Sequence, residues 1–121
     1  MAASKQKSFL TITTLNTVGN LTYSAAQIRT GLIVRDPNGG GRTDTTDTAA
    51  RLIQELGLHQ EGDAWVCYLI NTADAAETIT LAGGTGVTIS NVAQTVAQNE
   101  AAEMLFVRTN DGGITLYLIG A

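Results

Sequence analysis

Five short apolar runs start near residues 65, 77, 87, 103 and 114, parted by turns rich in Gly, Asn and Asp. That cadence is the strongest constraint on the fold. Runs of this length at even spacing belong to β-sandwiches and barrels, whose strands gain stability only by pairing with one another. Threonine-rich alternation points the same way: Leu10 and Ile12 interleave with Thr11 and Thr13, Ile79 and Leu81 with Thr78 and Thr80, Val87 and Ile89 with Thr88 and Ser90. The loop Ala82-Gly83-Gly84-Thr85-Gly86 is expected to join the last two pairs as a hairpin. The architecture expected is all-β: a jelly-roll-like β-sandwich or barrel with one short helix, about 47–56, in a crossover. Residues 9–121 form the single domain and residues 1–8 a flexible N-terminal arm.

Some of these runs are apolar on both alternating faces. In Ala64 to Ile70, Trp65-Cys67-Leu69 lie on one side and Val66-Tyr68-Ile70 on the other; Met104 to Val107 and Ile114 to Ile119 read likewise. An antiparallel strand in a small domain lines the core with one face and meets water with the other. One ten-residue helix cannot cover three such outer faces, so a sizeable oligomer interface is expected.

The helix belongs to the stretch Gly31 to Leu56, GLIVRDPNGGGRTDTTDTAARLIQEL. Leu32-Ile33-Val34 is a strand, closed by Arg35-Asp36-Pro37 because proline has no N–H and turns its predecessor away from helix. Asn38 to Gly41 and the residues up to Thr46 then read as a long ordered loop. Asp47 or Thr46 caps a helix with Ala49, Leu52, Ile53 and Leu56 on one face, and Gly57 stops it. Strand, glycine-rich loop and helix suggest a phosphate cradle, but the P-loop lysine is missing and Asp44 and Asp47 would repel phosphate. Asp36, Asn38, Asp44 and Asp47 carry the hard oxygens that calcium takes, without EF-hand spacing. Asp and Asn in turns ordinarily bond their own backbone. The structural reading is that Arg42, tied to Asp36 or Asp44, pins the loop around Pro37. No cofactor is expected.

The composition narrows the function further. A net charge of −4 argues against nucleic acid, which demands clustered Lys and Arg; only Lys5 and Lys7 lie close together, in the arm. The rest of the chain carries five basic and eleven acidic side chains, so the arm suits a tether to an acidic neighbour. A single cysteine rules out an intrachain disulfide, and a single histidine rules out a His-rich metal site. The N-terminus lacks a signal-peptide pattern and no run has the length of a membrane span, so synthesis in a reducing cytoplasm is expected. Catalysis lacks converging groups. His59 sits in a polar linker, Cys67 mid-strand among apolar residues, and Glu100 and Glu103 read as solvated charge. An enzyme is not expected.

Two stretches carry a resemblance. GLIVRDPNGGGRTDTTDTAA at 31–50 and NTADAAETITLAGGTGVTIS at 71–90 resemble small β-rich structural proteins of tailed phages and other large double-stranded DNA viruses. The likeness covers roughly residues 31–109. It implies a capsid decoration (cement) protein, a homotrimer that sits on the outer capsid surface of the virion and clamps neighbouring capsomers. Its partners would be the major capsid protein and copies of itself. The short 57–63 linker and the lack of a fibre-like repeat depart from the fibre proteins that share the module. The alternative is a receptor- or glycan-binding domain of a virion fibre or spike, with Trp65 and Tyr117 as its platform. For decoration, the contact residues expected are Lys5, Lys7, Trp65 and Tyr117.

Overall fold

In a computed structural model, described over residues 11–90 and 94–120, the chain is mainly β, with ten strands and two short helices among those residues. The arm, with Lys5 and Lys7, lies outside them. The strands are β1 Thr11–Leu15, β2 Thr22–Tyr23, β3 Gly31–Arg35, β4 Arg42–Thr46, β5 Ala64–Asn71, β6 Ile79–Ala82, β7 Val87–Ile89, β8 Thr95–Val96, β9 Ala101–Arg108 and β10 Ile114–Ile119. The helices are α1 Ala25–Arg29 and α2 Ala49–Leu56. A six-stranded sheet runs β1-β3-β5-β9-β10-β7 and a four-stranded sheet runs β2-β4-β6-β8. One core of buried side chains joins both, with Ile33, Cys67, Leu69, Met104, Phe106, Leu116 and Leu118 from the large sheet and Tyr23, Ile79, Leu81 and Val96 from the small one.

The pairing departs from the antiparallel scheme expected. β1–β3, β3–β5, β7–β10, β2–β4 and β4–β6 are all parallel. Parallel neighbours need a crossover of a dozen or more residues; those from β1 to β3 and from β3 to β5 carry α1 and α2, each together with a strand of the small sheet, while β8 and β9 lie between β7 and β10. The chain also alternates between sheets. RTDTT at 42–46 is a strand of the small sheet rather than loop. β6 and β7 form no hairpin, because they belong to different sheets. Gly83 and Gly84 make that switch possible. A Cβ on Gly83 would lie 2.2 Å from the Val87 carbonyl oxygen, and one on Gly84 2.5 Å from that of Thr46.

Both helices are fixed by their caps. Thr48, not Asp47 or Thr46, caps α2 by accepting from the Arg51 N–H, and Gly57 ends it at φ 69°. Ala49, Leu52 and Leu56 are buried and Ile53 packs against the core. α1 stands in the stretch Ser24 to Thr30, whose pattern alone reads as an irregular connection. Its Ser24 accepts from the Gln27 N–H while the Gln27 side chain accepts from the Ser24 N–H, a complete capping box.

Burial has a consequence at high pH. It pushes the Cys67 thiol from an ordinary 9.0 up to about 12. The Tyr23 phenol is driven far above its ordinary 10.0, first by burial and then by the neighbouring Asp44 charge. The unfolded chain therefore loses these protons while the folded chain keeps them, so stability is full below pH 9 and falls as pH rises from 9 to 12. The expected slope is about 1.4 kcal/mol per pH unit for each proton. Melting temperatures across this range should drop, with Cys67→Ala delaying the onset toward the tyrosine range; a flat profile would contradict the coupling.

Candidate functional site

The strand register builds one surface that the core does not use. On the six-stranded sheet, residues facing the small sheet alternate with residues facing away. The outward set falls into rows. Ile12, Leu32, Tyr68, Glu103 and Ile119 stand side by side across β1, β3, β5, β9 and β10. Thr14, Val34, Ile70 and Ala101 form the next row, Val66, Leu105 and Tyr117 another, and Ala64, Val107, Thr115 and Thr88 the last. Glu103 is the one charged residue in these rows.

Four large side chains of this face are open to solvent, Ile12 at 60 %, Tyr68 at 47 %, Ile119 at 46 % and Tyr117 at 39 %, while Leu32, Val34, Ile70 and Leu105 are half-buried among them. Five inter-strand spacings and about six residues of length make a face of about 25 by 20 Å, or roughly 500 Å². Part of that area is Thr14, Thr88, Thr115 and Glu103; the apolar remainder is of the size of the largest patch on a monomer, which is often functional. The excess apolar surface read from β5, β9 and β10 is thus present, and Ile12, Leu32 and Val34 enlarge it. Their signal was the uninterrupted Leu32-Ile33-Val34 run, in which Ile33 alone faces the core.

Trp65 and Tyr117 do not form a joint platform. Trp65 pairs with Phe106 on the core side and its indole N–H donates to the Ile28 carbonyl at 3.1 Å, whereas Tyr117 points outward beside Leu105. Opposite faces of one sheet separate them.

The loop residues are spent on structure. Arg42 meets neither Asp36 nor Asp44. Its guanidinium donates to the carbonyls of Pro37, at 2.8 Å, and Asn38, at 2.9 Å, closing the loop around buried Pro37. Asp36 accepts from the Asn38 N–H. Asp47 accepts from the N–H groups of Ala25 and Thr48, tying α1 to the start of α2.

The residue that holds Asp44 is Arg35, wholly buried with it. Arg35 Nε donates to Asp44 Oδ2 at 2.8 Å and the guanidinium to Oδ1 at 3.2 Å. The remaining donors reach the carbonyls of Thr17, Asp36 and Gly19, so all five N–H groups are used. Asp44 also accepts from the Leu21 N–H and the Tyr23 hydroxyl. This network bolts β3 of the large sheet to β4 of the small one. Asn71 is a second buried clip, donating to the carbonyls of Glu77 and Val96 and accepting from the Ala73 N–H.

With these partners the Asp and Asn oxygens that would suit calcium are engaged by the protein itself. Among the described residues no group of three or more His, Cys, Asp or Glu side chains is placed to hold a metal. His59 lies in an exposed turn whose backbone N–H is held by Asp63. Glu100 accepts from the Ala97 N–H, while Glu103 stands on the apolar face. An open cleft of about 460 Å³ runs along Gly86, Thr88 and residues 109–115. Its Asp111 carboxyl is held below the ordinary carboxylate range by the Thr109 hydroxyl and the Gly113 N–H, both on Oδ1. No described helix is long and apolar enough to cross a membrane. Compared with family models, curated proteins and solved structures, the chain matched none.

Proposed function

We propose that this chain is a virion structural protein, a capsid decoration (cement) protein that binds the outer capsid surface and stabilises contacts between capsomers. The observation that carries the reading is the outward face of the six-stranded sheet, broad, apolar and nearly free of charge. A surface of that kind serves binding to other protein surfaces. The Arg-Asp-Pro and Thr-Gly-Val-Thr stretches add the viral context through their resemblance to phage and large-virus shell modules. The body has two β layers, but its five parallel ladders depart from a jelly roll, which is antiparallel. Its partners in this reading are the major capsid protein and copies of itself, assembled as a homotrimer on the face just described. The site of action is the outer capsid surface, after synthesis in the host cytoplasm.

The arm is assigned the role of tether, since it carries Lys5 and Lys7 while the rest of the chain is acidic. Contacts between such exposed charges weaken as salt rises, the Debye length shrinking to about 3 Å at 1 M. Deleting residues 1–8 should leave a folded oligomer that grips capsids less firmly at low salt. Co-sedimentation with particles lacking the protein, at low and high salt, tests both parts. Equal binding by the two forms would remove the arm, and no binding by the full chain would remove the decoration role.

A further inference from the structure

We propose that the edge of β1 that no described strand covers pairs antiparallel with the same edge of a second copy about a two-fold axis, so that two six-stranded sheets become one. This deepens the reading of the chain as a self-assembling protein by naming a second contact, which stands on the sheet edge rather than on the apolar face.

Sheet edges present unpaired N–H and C=O groups, and proteins blunt them with short strands, charges, proline or bulges. The edge strands β2 and β8 have two residues each and β7 has three. β1, at the remaining edge, has five, TITTL, in unbroken register with β3 and without charge or proline. The Thr11 N–H donates to the Thr30 carbonyl, and the Leu15 carbonyl accepts from the Asp36 N–H. Odd-numbered residues therefore turn their backbone groups toward β3, and Ile12 and Thr14 turn theirs outward. Among the described residues no strand lies on that side.

A second copy is the occupant that matches this edge. Each chain carries a net charge of −4, yet the edge itself has none, so like copies meet there without repulsion. With Thr13 opposite the partner's Thr13, Ile12 falls opposite the partner's Thr14, and each such pair exchanges two N–H···O bonds. Cross-strand pairing of β-branched side chains is favourable, and the two Ile12 side chains become diagonal neighbours on the outward face. The pairing also joins the apolar faces of both copies into one surface. A symmetric contact of this type needs the same patch on each partner, which β1 supplies.

Thr13→Cys tests the geometry directly, because the native Cys67 is buried and does not compete. In the proposed register the two Cα atoms lie about 4.5 Å apart, within disulfide reach. Mild oxidation of the full chain should give a covalent dimer, whereas Thr43→Cys, exposed on the small sheet, should not. Thr14→Lys, at an exposed position on the edge strand that also borders the outward face, should keep the wild-type melting curve. It should nonetheless weaken association roughly tenfold or more in sedimentation velocity, including in a Tyr68→Glu background where the face contact is already lost. Cross-linking at Thr13 no greater than at Thr43, or Thr14→Lys sedimenting as wild type, overturns the proposal; the first result is also the one expected if another protein's strand uses this edge. Tyr68→Glu, on the face, separates the two readings: an assembly it leaves intact but Thr14→Lys breaks would remove the face contact and keep the edge.

Discussion

Arg35→Met is expected to melt roughly 10–20 °C below the parent chain, the largest loss of stability from any single replacement on the two-sheet contact. The side chains of Arg35 and Asp44 are both fully buried, so water does not screen the pair. Removing one partner leaves the other as an uncompensated charge in the interior, at a cost of about 3–5 kcal/mol. Asp44→Asn should cost a comparable amount, because the Arg35 charge then stays while an amide replaces two acceptor oxygens. The double replacement Arg35→Met/Asp44→Asn should fall well short of the sum, since neither charge remains to be stranded. It should not return to wild type. The carbonyls of Thr17, Gly19 and Asp36 would lose the guanidinium that satisfies them. Thermal melts of the four proteins, closed as a double-mutant cycle, measure this; strictly additive losses would show that the two side chains do not act as a unit.

The alternation that puts Ile33 in the core also puts Arg35 there, two residues on, so the buried arginine was legible from period two alone. Local pattern singles out Arg42 instead, because residues 42–46 have the composition of a loop. With 42–46 a strand, Asp44 points into the core and Arg42 stands near its start, with loop carbonyls nearest to hand. The α1 helix went unread, although Ser24-Ala25-Ala26-Gln27 carries its cap. Five residues show too little apolar periodicity to announce a helix, and only the cap marks it. Most strand positions, the α2 face and the Gly57 stop follow from local pattern and the structure has them, whereas β4, read as loop, and the two-residue β8 do not. Sheet membership does not follow from local pattern. It depends on crossovers and on backbone approaches such as Gly84 against Thr46, which join residues far apart in sequence. The outward face was legible in kind, since three strands were apolar on both sides. Its continuation through Leu32 and Ile12 required knowing that β3 and β1 extend the same sheet.

Tyr68→Glu is expected to break the face-built assembly down to edge-paired dimers at most, while leaving each chain folded. The ring is 47 % exposed in the isolated fold, so its loss removes little core packing. In an assembly built on this face it lies in the row of Ile12, Leu32, Glu103 and Ile119, near the middle of the sheet. Truncating an aromatic residue at the centre of an interface commonly costs about 2 kcal/mol or more, which is about thirtyfold in affinity. A carboxylate there does more harm than truncation. It would stand beside Glu103, which already enters the interface without an opposite charge on the same face. Tyr117→Lys is the informative companion. It puts a cation one row away, at a position likewise exposed, and should weaken assembly less because it offers Glu103 a partner across the interface. Light scattering should give a multiple of the 12.6 kDa chain mass for the parent, three for a trimer built on the face alone and six where edge pairing joins two trimers. For Tyr68→Glu it should give no more than the mass of an edge-paired dimer, two chains, with unchanged far-ultraviolet circular dichroism. A parent that is already a monomer, or a Tyr68→Glu variant that keeps the parent's mass, would take the face out of the assembly.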